Sequence, residues 1–203
     1  MLRLEHISHE YDHESILHDI SLDIEKKSFN IITGESGSGK STLLSIISTL
    51  LKPTEGKLCF NDVESADIPN INHFRNQKVG FVFQFHYLIG HLTVYENIAM
   101  VTRRSRMEIL AMLEKLDIQA LANKYPDQIS GGQRQRAAIA RAMINEPEYI
   151  FADEPTGNLD SKNSQVVFEL LRGLDATVIV ATHDLSRILP EDRIIQLKDG
   201  NLC

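Results

Sequence analysis

The chain has 203 residues, of which 42% are hydrophobic and 24% are charged, which suits one α/β domain carrying a small subdomain. Its formal net charge is −7, so the chain has no excess of the basic residues that a dedicated nucleic-acid-binding surface usually carries. We therefore expect that nucleic acid is not its main partner. The most apolar run, residues 43–51, is too short to span a bilayer, and residues 1–6 lack the apolar core of a signal peptide.

A glycine-rich turn between a strand and a helix is the first predicted element with chemistry. Phe29–Thr33 reads as a short buried strand, and residues 41–47 read as the first turns of a helix. The turn has the phosphate-binding pattern GxxxxGK[ST], and its residues are Gly34, Glu35, Ser36, Gly37, Ser38, Gly39, Lys40, Ser41 and Thr42. Backbone N–H groups of such a loop converge on phosphate oxygens, and the helix dipole adds to their attraction. Lys40 would reach the β- and γ-phosphates and Ser41 would hold Mg²⁺, which predicts a nucleoside triphosphate site rather than a turn with a solvated lysine.

Apolar runs typical of strands recur at residues 58–60, 79–83, 149–152, 178–181 and 194–197, and helical patterns lie between several of them. This alternation predicts an α/β fold with a largely parallel sheet and with its chemistry at the carboxyl ends of the strands. The stretch from Thr93 to about Tyr125 has no strand pattern. Its apolar residues Ile109, Leu110, Leu113 and Leu116 recur at helical spacing. We therefore predict one domain over residues 1–203, with a helical subdomain inserted over residues 85–128.

A second predicted helix N-terminus that could bind an anion follows Ile129. Ser130 is a favourable N-cap, Gly131 and Gly132 follow it, and Gln133 opens a strongly helix-forming stretch. We expect these four residues to bind nucleotide phosphate.

Two adjacent carboxylates, Asp153 and Glu154, follow the apolar strand of residues 149–152. In a protein with a phosphate loop, the residues at this point bind Mg²⁺ and position the attacking water. Asp153 would contact the metal or its waters, and Glu154 would polarise the attacking water. The alternative is that the pair caps the turn at Pro155.

Residues 129–133, ISGGQ, resemble the LSGGQ signature of the ATP-binding cassette family, and the other motifs occur in that family's order. The resemblance implies a P-loop NTPase fold with a mostly parallel core sheet, an N-terminal antiparallel β region and a helical subdomain. It implies that Gln84 contacts Mg²⁺ and the attacking water and that His183 bonds the γ-phosphate. It also implies that Tyr11 stacks on adenine, and that Asp160, with residues 158 and 159, links the two active sites of a dimer.

The same resemblance implies partners and a location. Two cassettes of this family pack head to tail, so that the phosphate loop of one and the residues 130–132 of the other enclose one ATP. ATP hydrolysis then drives transmembrane permease subunits, which implies a peripheral position on the cytoplasmic face of the inner membrane. The two cysteines, Cys59 and Cys203, give no sign of pairing, which favours a reducing cytoplasm.

Residues 83–100, with QFHYL and LTVYEN, look like the ATP-binding subunit of lipoprotein-releasing transporters. The stretch over residues 151–160 fits that branch too, but macrolide or peptide exporters and the regulatory cell-division cassettes share it. Cassettes that act on nucleic acids usually carry a long insertion or a second cassette, for which this chain has no room. We expect Phe85, Tyr87 and Leu88 to contact a membrane subunit, and the alternative is that they pack in the core of the insertion.

Overall fold

A computed structural model describes residues 1–157 and 159–203, which form two β-sheets and six α-helices. The strands of the smaller sheet, numbered in chain order, are β1 (Leu2–Tyr11), β2 (Glu14–Ile24), β4 (Glu55–Phe60) and β5 (Val63–Glu64). Their order is β2-β1-β4-β5, and the sheet is antiparallel throughout. The predicted antiparallel region is thereby confirmed, and the apolar run at residues 58–60 belongs to it.

The larger sheet is parallel except for one edge strand. Its strands are β3 (Phe29–Thr33), β6 (Val79–Phe83), β7 (Tyr149–Asp153), β8 (Thr177–Ala181), β9 (Arg193–Lys198) and β10 (Asn201–Leu202). Their order is β10-β9-β3-β8-β7-β6, and only β10 runs antiparallel to its neighbour. The predicted parallel core is confirmed, and it brings the carboxyl ends of β3, β6, β7 and β8 to one edge.

The helices are α1 (Lys40–Ile47), α2 (Ile71–Lys78), α3 (Val94–Ala99), α4 (Arg106–Lys115), α5 (Gly131–Met143) and α6 (Ser161–Arg172). Residues 85–128, all of them described, contain α3, α4 and short 3₁₀ turns but no strand. Two capping boxes start these helices, Thr93 with Glu96 and Ser105 with Glu108, because each N-cap hydroxyl and each glutamate satisfies a free backbone N–H. Among the described residues, every helix is too short or too polar to cross a bilayer.

Alternate residues of the central strands pack on opposite faces of the large sheet. Ile150 and Ala152 of β7 join a cluster with the apolar residues of α3, α4, α5 and α6. Tyr149 and Phe151 join a second cluster with α1 and the inner face of the small sheet. Because both faces are covered, these strands read as continuous apolar runs and not as an alternating pattern.

Candidate nucleotide-binding site

The phosphate loop joins the carboxyl end of β3 to the first turn of α1. Gly37 and Gly39 have φ angles of 83° and 97°, in the left-handed region that favours glycine. A Cβ at Gly39 would also lie 2.7 Å from the Leu17 side chain. Gly39 is the N-cap of α1 and offers no side-chain cap, so the first N–H groups of the helix remain available to an anion.

Lys40 lies across the mouth of this loop. Its Nζ donates to the carbonyl oxygens of Gly34 at 2.9 Å and Glu35 at 2.8 Å. The terminal hairpin supports the loop from the other side, since the Gly200 N–H donates to the Ser38 carbonyl oxygen at 3.3 Å. The ammonium group is thus held at the loop by backbone carbonyls, where it can exchange them for phosphate oxygens.

Ser41 and Asp153 come together from different elements. The Ser41 hydroxyl, on the first turn of α1, donates to Asp153 Oδ1 at 3.2 Å, at the end of β7. Burial raises the pKa of Asp153 and the Glu154 charge raises it further, whereas the Ser41 bond and the Lys40 charge lower it. A hydroxyl and a carboxylate are hard oxygen ligands of the kind that Mg²⁺ prefers, so these two residues fit the expected metal site.

Glu154 is held by the end of the neighbouring strand β8. Its backbone has a φ of 43°, and its N–H donates to the Ala181 carbonyl oxygen at 2.9 Å. Its carboxylate accepts at Oε2 from the Thr182 hydroxyl at 3.0 Å. At Oε1 it accepts from the His183 backbone N–H at 3.0 Å and lies 2.7 Å from His183 Nδ1. The carboxylate therefore has a defined position, beside an imidazole that is 72% exposed.

A cavity of about 390 Å³ opens over the loop. Tyr11 lines it and is 48% exposed, and its ring meets the His9 ring nearly at right angles, with 4.6 Å between the centroids. This leaves an aromatic face available for a base. The other lining residues are Ile16, Ser36, Gly37, Gly39, Lys40, Ser41, Thr42, Glu154 and His183.

Gln84 directly follows β6 and lies against the turn after Glu154. A Cβ at Gly157 would come within 2.7 Å of Gln84 Nε2, so the Gln84 side chain lies close against this glycine. The Gly157 N–H in turn donates to the Glu154 carbonyl oxygen at 3.1 Å. Gln84 and Glu154 are thus brought to the same edge of the sheet; Asn158, in the loop expected to link two sites, lies outside the described residues.

The predicted second phosphate site lies at the start of α5. Ser130 caps the helix, with the Gln133 N–H donating to its hydroxyl at 3.3 Å and its own N–H donating to Gln133 Oε1 at 2.9 Å. Among the described residues, the lining of the cavity over the phosphate loop includes none of residues 130–133 and not Asp160. One chain alone therefore does not bring residues 130–133 or Asp160 to the cavity over its own loop.

Asn163 bonds to Asp160 and lies close to Gly132. Asp160 caps α6 and accepts from the Asn163 backbone N–H at 2.9 Å and from its Nδ2 at 2.8 Å. Both bonds lower the pKa of the Asp160 carboxyl, and the bond from the Asn163 backbone has the larger effect. A Cβ at Gly132 would lie 2.8 Å from Asn163 Oδ1. Asn163 thus lies between the predicted dimer-linking loop and Gly132 of α5, a position that its ordinary helical context in the sequence did not signal.

The segment after Gln84 exposes two of its aromatic residues. Phe85 is 64% exposed and Tyr87 is 61% exposed, so the core-packing alternative is wrong for both, whereas Leu88 does pack against the core. The Arg141 side chain holds this segment to α5 by donating to the carbonyl oxygens of Tyr87 at 2.7 Å and His86 at 2.8 Å. Sequence reasoning missed Arg141, because an arginine in a helix ordinarily reads as a solvated side chain.

Comparison with known proteins agrees with this arrangement. The model of the ABC transporter family matches residues 17–157. The chain is 42% identical to the lipoprotein-releasing system ATP-binding protein LolD 1 of Chlorobium chlorochromatii (strain CaD3), over 94% of this chain and 83% of that protein. It is 41% identical to the LolD protein of Buchnera aphidicola subsp. Schizaphis graminum (strain Sg), over 92% of this chain and 87% of that protein.

Solved structures show the same fold. The dimeric structure of MJ0796, a bacterial ABC transporter cassette, superposes with a TM-score of 0.90 and 39% identity, over all of this chain and 96% of that one. The dimeric post-hydrolysis state of MJ0796 bound to ADP and Pi superposes with a TM-score of 0.87 and 38% identity, with the same coverage. With a phosphate loop, a carboxylate pair and a signature helix in these positions, the chain belongs to the ABC transporter family, as its ATP-binding domain.

Proposed function

We propose that this chain is the ATP-hydrolysing subunit of a transporter that releases lipoproteins from the inner membrane. The observation that carries the proposal is the convergence of Lys40, Ser41 and Glu154 on one cavity at the carboxyl edge of a parallel sheet, where Ser41 also donates to Asp153. The relatives at 41–42% identity are ATP-binding proteins of lipoprotein-releasing systems, and this similarity supports lipoprotein release as the transport that the chain drives.

Each residue then has a distinct task. The phosphate loop and Lys40 bind the ATP phosphates, and Tyr11 stacks on the base. Ser41 and Asp153, with Gln84 beside them, would hold Mg²⁺, which neutralises phosphate charge when it is bound. Glu154 orients the water and accepts its proton, and His183 donates to the γ-phosphate.

The complete site requires a second copy of the chain. Ser130, Gly131, Gly132 and Gln133 lie outside the cavity of their own chain, yet they present a glycine-led helix N-terminus with anion-binding character. In a head-to-tail pair they would close over the ATP that the partner's loop holds. Asp160, which bonds to Asn163 close to Gly132, would then sit at the seam between the two copies.

The exposed aromatic residues after Gln84 give the cassette a contact for a membrane subunit. Phe85 and Tyr87 are more than half exposed. Their segment begins at Gln84, just after β6, and Arg141 bonds it to α5. A permease docked there would contact the segment between Gln84, which is expected to contact Mg²⁺, and α5, the helix that Ser130 caps. The cassette would then act as a peripheral subunit on the cytoplasmic face of the inner membrane.

Hydrolysis and transport are tested separately. The purified chain should hydrolyse ATP in the presence of Mg²⁺, and Glu154→Gln should retain ATP binding while turnover falls by roughly 10²–10⁴-fold. Lys40→Ala should lose binding as well. Reconstituted with its membrane subunits in proteoliposomes, the chain should release a bilayer-anchored lipoprotein to a soluble acceptor. An ATPase that moves a macrolide or a peptide instead, and leaves the lipoprotein in place, would contradict the transport class.

A further inference from the structure

Thr182 occupies a buried position directly between β8 and the histidine of the site. Its side chain is 0% exposed, and its backbone N–H donates to the Ile32 carbonyl oxygen at 3.0 Å. The residue is therefore fixed to β3, the strand that leads into the phosphate loop. Its hydroxyl donates to Glu154 Oε2 at 3.0 Å. No motif of the sequence pointed to this residue.

We propose that Thr182 is a positioning residue for ATP hydrolysis: its buried hydroxyl orients the Glu154 carboxylate toward the attacking water. This rests on the function proposed above, in which Glu154 accepts the proton of that water. As the water oxygen bonds to the γ-phosphorus, its proton passes to the carboxylate and the bond from phosphorus to the ADP oxygen breaks. That step needs one carboxylate oxygen held in place and one lone pair free to accept.

The two carboxylate oxygens have different partners, and this difference supports the proposal. Oε1 lies at the exposed His183, whose ring is 72% exposed and can leave when a phosphate arrives. Oε2 lies at Thr182, which is buried and anchored to β3 by its backbone. When His183 turns to the γ-phosphate, the hydroxyl of Thr182 and the backbone N–H of His183 are the contacts that still define the direction of the carboxylate.

Thr182 also has a structural contact that must be separated from this role. Its hydroxyl accepts from the Asp184 N–H at 3.0 Å, at the start of a short turn. That turn is further closed by Asp184 Oδ1, which accepts from the Ser186 N–H at 2.9 Å. Asp184→Ala therefore loosens the same turn while it leaves the Thr182 hydroxyl intact, and it serves as the matched control.

The test is steady-state ATP hydrolysis by the purified chain. Thr182→Val, which removes the hydroxyl at nearly constant volume, should lower kcat by about 10- to 100-fold, the effect of losing a hydrogen bond to a charged group. KM for ATP should stay within about twofold, because Thr182 takes no part in binding, and Thr182→Ser should restore most of the rate. Asp184→Ala should keep a kcat close to that of the parent.

A double-mutant cycle with Glu154→Gln separates this inference from the proposed function. Thr182→Val should add little to the loss in the Glu154→Gln chain, because the hydroxyl acts through that carboxylate. A parent rate in Glu154→Gln would overturn the role of Glu154 itself. If Glu154→Gln is inactive but Thr182→Val keeps the parent kcat, or if Asp184→Ala loses as much as Thr182→Val, the positioning role is wrong.

Discussion

Arg141 of α5 donates from Nη2 to the carbonyl oxygen of His86 at 2.8 Å, and so joins the signature helix to the segment after Gln84. Nη1 donates to the next carbonyl oxygen, that of Tyr87, at 2.7 Å. Both acceptor residues have left-handed φ angles, 56° for His86 and 45° for Tyr87. Burial lowers the pKa of Arg141, and two backbone carbonyls compensate for that burial.

Arg141→Met should therefore destabilise the chain. The methionine fills much of the volume but leaves the two carbonyl oxygens without their donor, a loss of roughly 1–3 kcal/mol in the free energy of unfolding. At about 2–4 °C per kcal/mol for a domain of this size, calorimetry should show Tm lower by several degrees. Arg103→Met, at an exposed position, is the control and should melt with the parent. Equal Tm values for the two variants would show that the Arg141 bonds contribute little.

His86 gives the fold a dependence on pH. Its Nδ1 donates to Gln135 Oε1 in the interior, and burial lowers its pKa, an effect that the Gln135 bond partly offsets. As the pH falls below the ordinary histidine pKa of about 6.5, the unfolded chain takes up a proton that the folded chain excludes. Stability should therefore decline from pH 7 toward pH 5.5, by at most about 1.4 kcal/mol per pH unit from this residue.

Denaturant unfolding at pH 7.5 and pH 5.5 checks this effect of His86. The His86→Asn chain should lose less stability between the two values than the parent, since the amide keeps a donor but does not titrate. The His91→Asn chain, changed at an exposed position, should match the parent. The same loss in all three chains would assign the pH dependence to other groups.

Sharing of the site between two chains predicts an unusual complementation. Ser130→Arg should bind ATP at its own phosphate loop but fail to dimerise or hydrolyse, because the cation would occupy the position of the partner's γ-phosphate. Mixed with Lys40→Ala, it forms heterodimers with one doubly damaged site and one intact site. Some hydrolysis should return in those heterodimers, as measured after tandem purification with two tags. Full activity of Ser130→Arg alone would rule out the shared site.

The exposed aromatic segment predicts where the membrane subunit docks. Tyr87→Asp should release the cassette from its membrane complex, because a carboxylate buried in that contact without a partner is costly. The variant should still bind ATP and melt near the parent, given that Tyr87 is 61% exposed. Co-purification with the membrane subunits from solubilised membranes measures the release. Val63→Asp, at a 49% exposed position on the small sheet, is the control and should remain bound.

Two outcomes would revise the docking surface. A folded Tyr87→Asp chain that co-purifies at the parent level would move the contact to the helical insertion. Loss of binding in Val63→Asp as well would mean that added charge, not position, releases the cassette.

Local patterns in the sequence were sufficient for the parallel core sheet and for one side of the site, whereas the antiparallel sheet was expected only from the family resemblance. The phosphate loop, the strand before Asp153 and the cap at Ser130 each depend on neighbouring residues, so their types and bounds are readable from the chain. The contacts of Thr182, Asn163 and Arg141 join elements far apart in sequence, and their residue types are common in ordinary structural roles. Such contacts become visible only once the sheet order and the packing of α5 and α6 are known.

The terminal hairpin offers a direct way to watch the nucleotide site in solution. Gly200 contacts the phosphate loop, and Cys203, three residues later, is one of two cysteines and is exposed. Burial raises the pKa of the other thiol, Cys59, so a maleimide dye reacts preferentially with Cys203, and Cys59→Ser removes the competitor altogether. A fluorophore attached there lies on the same hairpin as Gly200, which bonds to the phosphate loop. Its emission should therefore report ATP binding and release in real time, without any change to the residues that carry out hydrolysis.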